Sequence, residues 1–250
     1  MASRPTSRPV PGGGLGSNPV QIVILCGGKG TRAYPLTEIV PKPLLDVAGE
    51  PILGHLMRIY AEQGWTQFIL SAGYLSEKIA EFASTLPKSW DVEVVDTGVD
   101  SNTGDRIRKV GHLVDEVFLA NYADGLGDVD IQSLVDFHRG HPGSATLTTV
   151  PLPSQYGTIE SDRYDRIVEF KEKPRLHDHR INGGFFVFDK RALDHFEGPD
   201  LERDVLPALS DRGELYAYRH QGFWKSMDTY KDAQELSALA EAGAPWVRRA

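Results

Sequence analysis

The apolar run Val20-Gln21-Ile22-Val23-Ile24-Leu25 ends at Cys26 and opens into Gly27-Gly28-Lys29-Gly30-Thr31-Arg32, with Pro35, Pro41 and Pro43 following. A short β-branched run of this kind reads as a strand buried on both faces. A glycine turn at its carboxyl end offers backbone N–H groups to an anion. Three readings compete for the turn. A Walker loop needs G-x-x-x-x-G-K-[ST], but Lys29 precedes Gly30 and Val23 stands where the first glycine belongs. A dinucleotide fingerprint fits on paper as Gly28-x-Gly30-x-x-Ala33, yet it must open a long helix. The three prolines forbid one, because each removes a backbone donor and restricts the residue before it. What remains is a flat glycine loop followed by an extended arm that carries Arg32 and Lys42 over an anionic ligand. A purely structural turn is the alternative, although it has no use for Thr31, Arg32 and Lys42 in these places.

Beyond the turn, strand and helix patterns alternate. PILGHLMRIYAEQG starts at a proline, ends at Gly64 and carries apolar residues at Ile52, Leu56, Ile59 and Tyr60. TQFILSA reads as a strand, LSEKIAEFASTL as a helix with Ser76 as its N-cap, DVEVV and EVFLA as strands, DIQSLVDFHRGH as a helix and ATLTTV as a strand. Such alternation predicts an α/β fold, a Rossmann-like, mostly parallel sheet with helices on both faces, whose ligands sit beyond the carboxyl ends of the strands. Two loops lie there: CGGKGTR and NYADG. Past residue 150 the pattern shifts to YGTIES, RIVEFKEKP, INGGFFVF, ELYAYRH and GFWKSMD, read as shorter strands, with helices near 191–196 and 201–210 and a last helix in YKDAQELSALAEAG. The expected organisation is a single domain over 20–247, its second half adding a small mixed β substrate lobe.

Residues 1–19, rich in Pro and Gly, are expected to be a disordered extension, and they lack the apolar segment of a secretory signal. With 27 Lys and Arg against 35 Asp and Glu, the net charge of −8 argues against a nucleic-acid binder that relies on a basic face. A handful of placed cations can still hold one phosphate chain. The single cysteine, Cys26, excludes an internal disulfide, fits a cytoplasmic setting and reads as a buried structural thiol. No apolar stretch is long enough for a membrane span.

Several polar residues stand where chemistry could occur, each with a plainer reading beside it. Asp124 follows the strand EVFLA and could hold a divalent cation, or simply form an Asp-Gly turn. Asp228 could be its partner, or the N-cap of the last helix. Glu172 and Lys173 could bind a ligand or be a solvated charge run. Asn182 and Gly183 could form a wall that a ligand approaches closely, or a bulge. VDTGVDSNTGDRIRKV is a polar loop entering a basic helix, where Arg108 and Lys109 read as surface charges. The histidines, including those of HDH, have no zinc-type spacing.

GGKGTR followed by PKPLL resembles the G-G-x-G-T-R and P-K-P signature of the sugar-1-phosphate nucleotidyltransferases. The resemblance continues through VDTGVDSNTGDRIRKV, NYADGLGDVDI, VEFKEKP, INGGFFVF and GFWKSMDTYKD, is similar in these to the glucose-1-phosphate cytidylyltransferase branch, and spans residues 20–247. It implies the reaction NTP + sugar 1-phosphate → NDP-sugar + pyrophosphate, with CTP as the nucleotide. By the same resemblance Arg32, Lys42 and Asp124 are catalytic. Leu25, Cys26, Gly27, Gly28, Gly30, Thr31, Arg32, Ser101, Thr103 and Arg106 bind the nucleotide. Glu172, Lys173, Asn182 and Gly183 bind the sugar phosphate, and Asp124 and Asp228 hold Mg²⁺. The expected partners are these small molecules and not a membrane or nucleic acid, with a homo-oligomer possible. The alternatives are a non-catalytic regulatory homologue that binds a nucleotide sugar, and a guanylyl-, uridylyl- or thymidylyltransferase of the same fold. One departure stands out. The branch carries an insertion before VDTG that helps build the oligomer, whereas LPKSWDVEVVDTG runs almost directly from helix to strand. A smaller assembly and a more open sugar site are expected.

Overall fold

The computed structural model describes residues 20–248, so the N-terminal extension lies outside the described residues. In chain order the strands are β1 (Ile22–Leu25), β2 (Asp46–Val47), β3 (Glu50–Pro51), β4 (Gln67–Ala72), β5 (Asp91–Asp96), β6 (Val117–Tyr122), β7 (Gly125–Gly127), β8 (Ala145–Pro153), β9 (Thr158–Ser161), β10 (Ile167–Lys171), β11 (Arg175–Asp189), β12 (Leu215–Arg219) and β13 (Trp224–Ser226). The α-helices are α1 (Ile52–Ala61), α2 (Ser76–Ser84), α3 (Thr103–Val110), α4 (Ile131–Arg139), α5 (Leu206–Asp211) and α6 (Tyr230–Glu241).

Seven strands form the main sheet in the order β12-β8-β11-β6-β1-β4-β5. β1 pairs in parallel with β4 and β6, β4 with β5, and β8 with β12, while β11 alone runs antiparallel between β6 and β8. The mostly parallel sheet read from the sequence is therefore present. Strands from beyond residue 150 divide between it and two small ribbons, β9–β10 and β7–β13. The period-2 side-chain alternation explains why β1 is apolar throughout. Ile22 and Ile24 face a core built with Leu53, Leu56, Tyr60 and Leu236, while Val23 and Leu25 face a second core with Ile107, Val110, Leu201 and Val205. Among the described residues, no helix is long and apolar enough to cross a membrane.

Two local expectations change. Ser76 is the first residue of α2 and not its N-cap: Leu75, at φ 51°, takes that place without a side-chain bond, and the Ser76 hydroxyl donates to Asp96 Oδ2 at 3.1 Å. The helix expected near 201–210 begins as a π turn, Leu201–Val205, before α5. Pro207 has no N–H to give the carbonyl four residues back, so the ladder there cannot be regular. Asp200 caps the turn through the N–H groups of Glu202 and Arg203.

His138 is buried beneath the sheet, with Nδ1 2.9 Å from Thr146 Oγ1 and Nε2 3.2 Å from Asp189 Oδ1. Burial holds its imidazole below the ordinary range and outweighs the raising pull of Asp189; burial also lowers neighbouring His141. A depressed histidine binds its proton less readily folded than unfolded. Its contribution to stability is therefore full above the unfolded value of about 6.5 and declines as pH falls through it. A thermal-denaturation series from about pH 7.5 to 5.5 should show Tm falling with pH, and more weakly in His138→Gln.

Candidate active site

The glycine loop rests on a buried cation. Arg106 of α3, 3% exposed, donates from Nη1 to Ala72 O at 2.9 Å and Thr97 Oγ1 at 2.7 Å, and from Nη2 to Gly27 O at 2.8 Å. A Cβ on Gly27 would lie 1.9 Å from Arg106 Nη1, and one on Gly73 2.6 Å, so both positions need glycine to admit the guanidinium. Burial lowers the Arg106 pKa, against the raising influence of Cys26 and Asp96. Cys26 is itself fully buried, its thiol pushed up by desolvation and its N–H given to Ser71 O at 2.9 Å. By contrast, a Cβ on Gly28 would meet nothing within 4 Å, and residues 27 to 30 donate no backbone hydrogen bond to any described residue. Free N–H groups beside open space are what an anion cradle requires.

The prolines break the following segment into short turns, Thr31–Ala33, Leu36–Glu38 and Lys42–Leu44. The arm folds back on the loop: Thr37 Oγ1 donates to Gly30 O at 3.0 Å. Gly30 has φ 62°, and a Cβ there would stand 2.8 Å from Lys42 Cβ, so its glycine serves both backbone shape and contact. The returning arm places Lys42 Nζ 2.6 Å from Asp124 Oδ2 and 3.0 Å from Asp228 Oδ1. Arg32 reaches the same Asp228 oxygen at 3.1 Å from the solvent side. Burial pulls the Lys42 ammonium down, but the two carboxylates outweigh it and raise its pKa, so it stays charged. Asp228 is not the N-cap of α6. Thr229 is, in a capping box with Asp232, which leaves the Asp228 carboxylate available to the cations.

Arg32, Lys42 and Asp124 line a cleft of about 330 Å³ with Leu25, Ser101, Thr103, Arg106, Tyr122 and Asp200, while Asp228 stands just outside this lining. Ser101 and Thr103 reach its edge, but their hydroxyls are engaged: Ser101 Oγ with Thr97 O, and Thr103 Oγ1 with Glu202 Oε2 at 2.7 Å. Lys109 is more than a surface charge, since its Nζ bonds Thr97 O and Ser101 Oγ, both at 2.7 Å, and steadies the 97–101 turn. Asn182 lies one side chain behind the cleft, donating to Tyr122 Oη at 3.0 Å. Gly183 accepts from Trp224 Nε1 at 2.7 Å. Glu172 and Lys173 are exposed, 3.9 Å from each other, and are not among the residues lining this cleft. Sequence reasoning missed Tyr122, Asp200 and Glu202. Tyr122 could have been found, because it stands two residues before Asp124 on a strand pattern; nothing in the sequence singles out Glu202.

A nucleotidyl transferase family model matches residues 21–242. Glucose-1-phosphate cytidylyltransferase of Salmonella typhimurium is 37% identical over 91% of this chain and 98% of its own length. A probable glucose-1-phosphate cytidylyltransferase of Bacillus subtilis is 36% identical over 90% and 97%. Mannose-1-phosphate guanylyltransferase of Mycobacterium tuberculosis is 34% identical over 90% of this chain, but over only 65% of its own length. Among solved structures, HddC from Yersinia pseudotuberculosis complexed with GMP-PN superposes with a TM-score of 0.68 at 22% identity, covering 88% of this chain and 98% of that one.

Replacing Arg106 tests whether it is the loop's pedestal. Arg106→Met removes three bonds from a charged donor, at about 1.5–3 kcal/mol for each, although Gly27 O keeps the Tyr74 N–H and Ala72 O keeps the N–H and hydroxyl of Thr97. A Tm lower by roughly 10 °C is expected, together with weaker nucleotide binding. An unchanged Tm with binding lost would instead mark Arg106 as a direct ligand contact.

Proposed function

The chain belongs to the nucleotidyl transferase family, and we propose on that footing that it joins CTP to glucose 1-phosphate, giving CDP-glucose and pyrophosphate. Nucleotidyl transfer to a sugar 1-phosphate is the activity of its cytidylyltransferase relatives, and the match spans nearly their whole length. The observation that carries the reading is the meeting of Lys42, Arg32, Asp124 and Asp228 beside a glycine loop with free N–H groups. A regulatory homologue without activity would be expected to lack one of these four. The guanylyltransferase relatives are less similar and are covered over about two thirds of their length.

In this reaction an oxygen of the sugar phosphate attacks the α-phosphorus of the triphosphate. The new P–O bond forms as the bond to the β-phosphate oxygen breaks, and pyrophosphate leaves with the electron pair. No covalent enzyme intermediate is required. The difficulty is the approach of two anions, so the protein's contribution is positioning and neutralisation. The loop N–H groups cradle the phosphate chain. Lys42, held charged and nearly buried, faces the α-phosphate. Arg32, on the exposed side, leaves Asp228 to meet the departing pyrophosphate. The family resemblance assigns the sugar phosphate to Asn182 and Gly183, which stand behind the cleft wall, and to Glu172 and Lys173, which follow the β9–β10 hairpin outside the cleft lining.

Asp124 and Asp228 suit Mg²⁺. Their oxygens already converge on one cation, the Lys42 ammonium, and carboxylate oxygen is the donor this ion prefers. Among the described residues no group of three or more His, Cys, Asp or Glu could hold a metal, so phosphate oxygens and water would complete the shell. Bound there, the ion supplies charge neutralisation and Lewis-acid polarisation of the phosphates.

Asp124→Asn should lower turnover by at least about 100-fold at saturating Mg²⁺. Because Asp124 is partly exposed, Tm should shift by no more than about 3 °C. Full activity in this variant would remove Asp124 from the mechanism. Pyrophosphate release measured with CTP, UTP, GTP and dTTP in competition tests the base. CTP is expected to win, since a site that pairs with its amine leaves polar groups unpaired against a keto group. Success of any other nucleotide refutes the cytidine assignment while keeping nucleotidyl transfer.

A further inference from the structure

One wall of the cleft contains a chain of hydrogen bonds whose direction is fixed at both ends. At one end the Gly184 N–H donates to Asn182 Oδ1 at 2.7 Å, which turns the Asn182 amide nitrogen toward the Tyr122 phenol, 3.0 Å away. At the other end the Leu201 N–H donates to Thr103 Oγ1 at 2.9 Å, and Thr103 gives its own proton to Glu202 Oε2 at 2.7 Å. A backbone N–H can only donate and a carboxylate can only accept. Glu202 stands where the two halves meet and takes a second proton, from Tyr122, on Oε1. The chain links β11, β6, the π turn at Leu201–Val205 and the start of α3. Among the described residues Glu202 forms no ion pair with any cation, so these two hydroxyls are its partners.

The consequence falls on Tyr122, which lines the cleft. Its proton is committed to Glu202 and one lone pair to Asn182. What it can offer a ligand is the remaining lone pair.

We propose that Glu202 is a positioning residue that sets specificity: by holding the Tyr122 proton, it makes the phenol an acceptor-only group that selects a hydroxyl donor on the sugar phosphate. The inference rests on the proposed sugar-phosphate reaction. The glycine loop and the basic pair occupy the phosphate side of the cleft. Tyr122 bonds directly to Asn182, which the proposed function assigns to the sugar phosphate, and on that assignment the donor it meets is a sugar hydroxyl and not the amine of the base.

Fluorine accepts hydrogen bonds but cannot donate them, which makes deoxyfluoro sugars the direct probe. KM would be measured for glucose 1-phosphate and for its monodeoxy and monodeoxyfluoro analogues at the 2, 3, 4 and 6 positions. The enzymes compared are the wild type, Tyr122→Phe, Glu202→Leu and Glu202→Gln. In the wild type, one ring position should lose about tenfold in KM on deoxygenation and as much on fluorination. Tyr122→Phe and Glu202→Leu should raise KM for the parent sugar phosphate by a similar factor and erase that discrimination. The KM for CTP and kcat at saturation should stay within about threefold. Glu202→Gln keeps an acceptor oxygen and should restore most of the wild-type profile. A loss of packing alone would not change the ratio between fluoro and parent compounds.

The proposal is overturned if fluoro analogues match the parent at every position, if Tyr122→Phe discriminates as the wild type does, or if the effect falls on CTP. Should Glu202→Leu fail to fold, the wild-type, Tyr122→Phe and Glu202→Gln profiles decide. Absence of pyrophosphate release by the wild type with every nucleotide and sugar phosphate would overturn the functional reading, and this inference with it. Turnover with unaltered discrimination would overturn this inference alone.

Discussion

The Lys42 ammonium, held between Asp124 and Asp228, ties the site together. Its two bonds span 82 and 186 residues of sequence and join the arm after the glycine loop, the end of β6 and the entrance to α6. Without a cation the two carboxylates would face each other across a partly desolvated gap and repel. With Lys42 and Arg32 present they are neutralised one for one, and the three segments are drawn to one point. The cost of taking an ammonium out of water is met by the carboxylates it joins, and for this reason the group remains charged where a phosphate will need it.

A second cation supports the first from below. Arg106 fills the volume that side chains at residues 27 and 73 would occupy, and adds a charged donor to carbonyls that Thr97 and Tyr74 also bond. The N–H groups of residues 27 to 30 above it have no partner among the described residues. The site is thus layered: a buried guanidinium sets the shape of the loop, the loop sets the position of the arm, and the arm delivers Lys42.

Much of this could be read from the sequence because local rules governed it. The β1 run, the proline-broken arm and the punctuated helices follow from side-chain patterning and backbone sterics, and Asp124 is marked by its place at a strand end, whereas Asp228 is paired with it only by the family resemblance. What escaped depends on distant contacts. Ser76 looked like a cap because the αL backbone of Leu75 has no sequence signal. Asp228 had two readings until Thr229 and Asp232 were seen to form the capping box themselves. Lys109 looked like a solvated charge because its acceptors lie on a turn that only the folded chain brings near. Glu202 belongs to a segment chosen for its helical pattern, and only its approach to Thr103 and Tyr122 makes it notable.

β11 has a further consequence for how such a protein can change. The chain leaves the main sheet at Pro153 and returns at Arg175, and these two residues are register partners, with Ser154 N bonded to Pro174 O at 2.9 Å. The intervening residues form the β9–β10 hairpin and carry Glu172 and Lys173, yet the seven-stranded sheet takes no strand from them. The excursion is therefore an exchangeable cassette. Its ends are fixed by the scaffold, and lengthening it adds to the chain entropy of closure only with the logarithm of its length. A lineage can rewrite this rim to suit a new substrate while the parallel core and its buried arginine remain untouched.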